Sequence, residues 1–118
     1  MLEKLLQMSA LFDFYGALLT EKQQRCLEMH LFEDFSLSEI GSELGISRQA
    51  VYDIIHRSEQ SLRDYENKLG LVARHESERD ELQAVVHMMQ KLKREDNSSD
   101  IDDLIKRLAN LIGKVRGA

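Results

Sequence analysis

Three features of the 118-residue sequence predict an all-α fold. It holds no Pro and no Trp, it has few β-branched runs, and it is rich in Leu, Glu, Gln, Arg and Lys, which lose little side-chain freedom in a helix. Its apolar residues recur every three or four positions. At 42% hydrophobic and 31% charged the composition is that of an ordinary globular chain, which implies one domain, or one small domain with an appendage, around a modest core. The lone Cys26 excludes an internal disulfide. With neither a charged-then-apolar leader nor eighteen consecutive apolar residues, the expectation is a cytoplasmic protein without membrane insertion.

Residues 1–19, "MLEKLLQMSALFDFYGALL", contain 13 apolar residues and three charges. Leu2, Leu5, Met8, Phe12 and Tyr15 make one helical stripe, while Leu6, Leu11, Phe14 and Leu18 spread round the other side. Such a helix needs cover on more than one face, either inside the core or at a dimerisation surface. Thr20, with Gln23 three residues on and Glu21 in the first turn, is a capping box for a second helix whose Leu27, Leu31 and Cys26 face inward. Ser36 or Ser38 caps "SEIGSEL", with Leu37, Ile40 and Leu44 inside. Gly45 ends that helix, Ile46 anchors the turn and Ser47 caps a longer helix running to about Lys68. Its inner stripe is Val51, Ile54, Ile55, Ser58, Leu62, Tyr65 and Leu69.

Gly70 marks the expected boundary between an N-terminal helical domain, 1–70, and a C-terminal helical arm, 71–118. The arm reads as a helical pair. Residues 72–94 carry Leu82, Val85, Val86, Met89 and Leu92, "EDNSS" at 95–99 reads as a loop, and Asp100 is placed to cap a last helix. There Ile101, Leu104, Ile105, Leu108, Leu111, Ile112 and Val115 repeat at helical spacing. Asp100, Asp102 and Asp103 open this helix and Lys114 and Arg116 close it, the polarity its dipole favours.

The segment from Leu37 to Leu62, "LSEIGSELGISRQAVYDIIHRSEQSL", meets the needs of a helix-turn-helix: apolar contacts between two helices, a glycine at the turn, and an exposed second-helix face with long side chains. Arg48, Gln49, Tyr52, His56 and Arg57 fall outward. Arg can grip guanine and Gln adenine through paired hydrogen bonds, while Ser47 and Arg57 suit phosphate. A solvated helix face with no ligand is the alternative for these residues.

"LTEKQQRCLEMHLFEDFSLSEIGSELGISRQAVYDIIHRSEQSLR" (Leu19 to Arg63) resembles the helix-turn-helix of bacterial sigma factors, so the fold expected is sigma-factor region-four-like, followed by the C-terminal helical pair. The N-terminal "LFDFYGALLTEKQ" and the length are similar, more specifically, to the YlxM family, small bacterial proteins typically encoded beside the signal recognition particle GTPases. That likeness covers most of residues 1–95 and implies a wingless helical fold, a cytoplasmic location and a regulatory or accessory role in the signal recognition particle pathway. Gly41 stands where alanine is usual, a conservative change. Asp53 lies on the reading face with Glu59 beside it, which lowers its basic character.

Other constellations point away from catalysis. Cys26 and His30 lie four apart but lack further metal ligands, "HESER" at 75–79 has Arg79 where a zinc-binding helix needs a second His, and no Gly-rich phosphate loop is present. No enzyme activity, metal or cofactor is expected. Met88 and Met89 read as core packing or as a soft peptide-binding surface. Lys91, Lys93 and Arg94 could meet an RNA backbone, although basic residues also suit a helix C-terminus.

Charge separates the two parts. Residues 1–70 hold 12 Asp or Glu against 7 Lys or Arg, a net of -5, and residues 71–118 hold 9 of each. Nucleic-acid contact must therefore come from local basic groups. The expected partners are DNA or the particle's RNA, and the particle's GTPases, with a homo-oligomer favoured by the apolar first and last helices. The function expected is that of an accessory or regulatory helix-turn-helix protein in that pathway; the alternatives are a sequence-specific transcriptional regulator and a purely structural adaptor.

Overall fold

The computed structural model describes residues 1–96 and 99–117, without the side chains of residues 96 and 114–117. Among the described residues six α-helices follow in order: α1 (Leu2–Tyr15), α2 (Glu21–Leu31), α3 (Leu37–Leu44), α4 (Arg48–Leu69), α5 (Leu71–Asp96) and α6 (Ser99–Gly117), with a 3-10 turn at Gly16–Leu18. Among the described residues there is no strand. The chain forms two compact units, residues 1–72 and 73–118.

In the first unit α4 is the central element, and α1, α2 and α3 all pack on it. Its core comprises Met8, Leu11 and Tyr15 of α1, Leu19 just before α2, Cys26, Leu27 and Met29 of α2, Ile40 of α3, and Val51, Ile55 and Leu62 of α4. Complete burial of a Leu or Ile such as Leu27, Ile40 or Leu62 contributes about 1.5–3 kcal/mol each. Ser58 is also fully buried, and its hydroxyl donates to the Ile54 carbonyl at 2.7 Å, which satisfies it within its own helix.

Several expectations change once the helices are packed. Leu2, Leu5 and Leu6 stay exposed, so only the second half of α1 is a core helix, on Met8, Leu11 and Tyr15. Leu69, expected inside, is exposed because α4 has passed the elements that cover it. Met29, absent from the expected inner face of α2, is buried. The Thr20 and Gln23 capping box forms in both directions, at 3.2 and 3.0 Å. Gln24 then ties α2 back to the 3-10 turn by donating to the Gly16 carbonyl at 2.8 Å.

In the second unit α5 extends to Asp96 and α6 starts at Ser99, so Glu95 and Asp96 are helical rather than loop, and Asp100 lies in the first turn of α6 rather than capping it. Asn97 and Ser98 of the expected loop lie outside the described residues, as do the side chains of Lys114, Val115 and Arg116. Lys93 Nζ meets Asp102 Oδ1 at 2.5 Å and ties the two helices together. Ile112 is buried, whereas Val85, Met88, Leu92, Leu104 and Leu111 are exposed.

Candidate nucleic-acid interface

The site is built on the α3–turn–α4 element. Ser36, not Ser38, caps α3: its hydroxyl accepts from the Glu39 N–H at 3.1 Å, and its own N–H donates to Glu39 Oε1 at 3.0 Å. Hydrogen bonds from the Ser36 backbone and side chain hold the Glu39 carboxyl below the usual range. At the other end Gly45 takes φ 68°, a left-handed conformation that costs a side-chain-bearing residue steric strain. Both Gly45 and Ile46 donate their N–H groups to the Gly41 carbonyl. This tight return places the Ile46 carbonyl oxygen only 2.7 Å from where a Cβ on Gly41 would stand. Glycine at position 41 is therefore required by close backbone approach, and the exchange with alanine is not conservative here.

Ser47 starts α4 by accepting the Ala50 N–H at 3.0 Å. Its first role is thus that of a cap, while the hydroxyl hydrogen can still donate to a phosphate. Arg48, Gln49, Tyr52, His56 and Arg57 are all exposed. Arg57 lies nine positions after Arg48, which puts the two about 180° apart around the helix and about 13.5 Å apart along it. They bracket the exposed face instead of sharing its centre. Among the described residues neither guanidinium has an acidic partner within ion-pair distance.

The centre of the face is already internally bonded. Gln49 Nε2 donates to Asp53 Oδ1 at 3.1 Å, so the amide is oriented by a carboxylate on the same face. Tyr52 and His56 contact each other with ring centroids 4.2 Å apart. This arrangement offers two flanking cations for phosphates on either side of a groove about 12 Å wide, with an amide, an imidazole and a carboxylate between them for base edges. Asp53 repels phosphate but can accept from the cytosine amino group.

Glu59, expected beside this face, is instead buried against α1, with Lys4 Nζ 3.7 Å from its Oε2. Its local spacing gave no sign of this, because the cover comes from a helix more than fifty residues away. Lys91 and Arg94 are exposed on α5, in the second unit, while Lys93 is engaged by Asp102. Cys26 is fully buried and His30 exposed, and burial pushes the Cys26 thiol above its usual range, opposed by the charge of Lys22. The Met pair divides, with Met89 half-buried and Met88 exposed. No helix among the described residues is long and apolar enough to cross a membrane.

A family described as "Putative helix-turn-helix protein, YlxM / p13 like" matches residues 2–104. The chain is 48% identical over 91 residues to a UPF0122 protein of Halalkalibacterium halodurans, covering 77% of this chain and 84% of that one. A UPF0122 protein of Thermoanaerobacter sp. is 42% identical over 105 residues, 89% of this chain and 90% of its own. One from Lacticaseibacillus casei is 39% identical over 113 residues, 96% and 98% of the two chains.

Proposed function

The chain belongs to the UPF0122 family of YlxM / p13-like helix-turn-helix proteins, and from that membership and the exposed face of α4 we propose that it is a non-enzymatic nucleic-acid-binding protein, an accessory or regulator in the signal recognition particle pathway. The observation that carries the binding role is the pair Arg48 and Arg57, both exposed and both without an ion-pair partner among the described residues, on opposite flanks of the helix that follows the turn. The pathway is supported by the likeness of "LFDFYGALLTEKQ" to YlxM proteins. A cytoplasmic location follows from the same reading. Net charge of -5 on residues 1–70 keeps long-range attraction to phosphate low, so binding is local and salt-sensitive.

Fluorescence titrations of the full chain against duplex DNA, particle RNA and the particle's GTPase, at two salt concentrations, test the proposal. Binding to particle RNA or to the GTPase, with RNA binding that weakens as salt rises, is the expected outcome. Preference for one duplex sequence without affinity for the particle's components would favour the transcriptional regulator. No binding to any of the three would overturn both.

Self-association belongs to the same proposal. Val85, Met88 and Leu92 lie at i, i+3 and i+7 on α5, and Leu104 and Leu111 at i and i+7 on α6, all exposed. These are stripes with the spacing of bundle-forming helices, and a second copy of the pair would complete a four-helix layer.

A further inference from the structure

We propose that the pocket between α1, α2 and α4 is a docking site for a basic amphipathic helix of a protein partner, whose Lys or Arg side chain pairs with the Glu59 carboxylate. The site goes beyond the groove-facing role of α4 and does not depend on it. Lys4, Leu5 and Met8 of α1, His30 and Leu31 of α2, and Glu59 of α4 line a cavity of about 280 Å³. That is at the lower end of the range of roughly 300–1,000 Å³ usual for ligand clefts, and it has room for an inserted side chain.

Glu59 is the reason to expect a cation. Its side chain is only 5% exposed, yet the sole acid–base contact it makes among the described residues is to Lys4 Nζ at 3.7 Å, longer than a hydrogen bond, from a lysine that is itself 62% exposed. A buried carboxylate is strongly unfavourable unless it is paired and hydrogen-bonded, and for stability alone an apolar residue of similar volume serves as well or better. Here the pairing is incomplete, and the carboxylate lines an open pocket. An inserted guanidinium or ammonium would complete it with charge-assisted hydrogen bonds.

The rim supplies the rest of the partner's chemistry. Met1 and Leu5 line the pocket and are exposed, so a helix with Leu on one face and Lys or Arg at the adjoining positions matches both rim and floor. The net charge of -5 on residues 1–70 favours the same sign of partner.

The test uses the full chain and two amidated peptides, one of Leu and Lys at helical spacing and one with Glu in place of every Lys. Calorimetric titration should show binding of the Leu-Lys peptide and none of the Leu-Glu peptide. Glu59→Gln should weaken binding at least tenfold. Lys4→Met should tighten it severalfold, because a competing cation has been removed. The exposed substitutions Glu33→Gln and Lys22→Met make the same changes of net charge and should alter affinity less than twofold. Circular dichroism checks that each variant is folded, and Lys4→Met, at an exposed position, tests the idea even if Glu59→Gln is not. Binding of the Leu-Glu peptide, a Glu59→Gln effect no larger than that of Glu33→Gln, or weaker binding by Lys4→Met would each overturn the proposal.

Discussion

The Tyr15 hydroxyl donates to Glu66 Oε1 at 2.5 Å, joining the end of α1 to the last turns of α4 across 51 residues. The same two groups receive the first donors of α5: the Leu71 N–H donates to the Tyr15 oxygen at 3.0 Å and the Val72 N–H to Glu66 Oε1 at 3.1 Å. Two helices and the start of a third thus meet at one satisfied polar cluster, just after Gly70 turns the chain with φ 62°. Tyr15→Phe keeps the ring and removes the hydroxyl. It should lower stability by about 1–3 kcal/mol in urea denaturation and speed amide exchange at Leu71. Equal midpoints for variant and wild type would show that the cluster is not stabilising.

Burial, then the hydrogen bond to Glu66, raise the Tyr15 pKa above its usual 10.0. The neutral phenol is therefore favoured in the folded state, so its contribution is fully present below pH 10 and is lost as pH rises from there through the raised value. Alkaline unfolding of Tyr15→Phe should lack this component when followed by circular dichroism.

Glu39 titrates with the opposite sign. Its carboxyl is held below the usual 4.5 by the Ser36 hydrogen bonds, so the capping box stabilises above that pH and weakens as pH falls through the lowered value. Glu39→Gln retains an acceptor and should flatten the acid side of a plot of unfolding midpoint against pH.

The turn should respond to two glycine substitutions for different reasons. Gly41→Ala drives a Cβ toward the Ile46 carbonyl at 2.7 Å and should cost about 1–3 kcal/mol through backbone displacement. Gly45→Ala meets nothing within 4 Å, and its cost of about 1–2 kcal/mol comes from the left-handed backbone alone. Ile40→Ala, at a fully buried site, should cost about 2–5 kcal/mol. Thermal unfolding measures all three, and an unchanged midpoint for Gly41→Ala would contradict the close approach.

On the α4 face, Arg48→Ala and Arg57→Ala should each weaken duplex binding and make its salt dependence shallower by about 1, with helicity unchanged. Contacts made instead through the second unit would respond to Lys91→Ala and Arg94→Ala. Gel shifts at two salt concentrations separate the two, and insensitivity to both arginine substitutions would exclude the α4 face.

Self-association should depend on the exposed stripe of α6. Light scattering of the full chain is expected to report a dimer, and Leu104→Lys with Leu111→Lys a monomer of unchanged helicity. A wild-type mass that stays monomeric as concentration rises would overturn it.

The features legible in the linear chain are those that near neighbours along it control. The Thr20 and Ser47 caps, the left-handed Gly45 and the α3–α4 turn depend on groups within a few residues, so their side-chain chemistry and spacing were sufficient to place them, whereas the same spacing left Ser36 and Ser38 both open as the cap of α3. The exposed Arg48 and Arg57 were legible for the same reason, as residues opposite a strong apolar stripe. Tertiary structure alone decided the positions whose environment comes from distant segments. Glu59 is buried because α1 covers it, Leu2 and Leu69 are exposed because nothing in the first unit does, and Tyr15 finds its polar partners 51 residues or more away. Gly41 looked exchangeable until the return of the chain brought a carbonyl against it. Periodicity states which face of a helix is apolar; which turns of that face are covered depends on where neighbouring helices begin and end, and that is a property of packing.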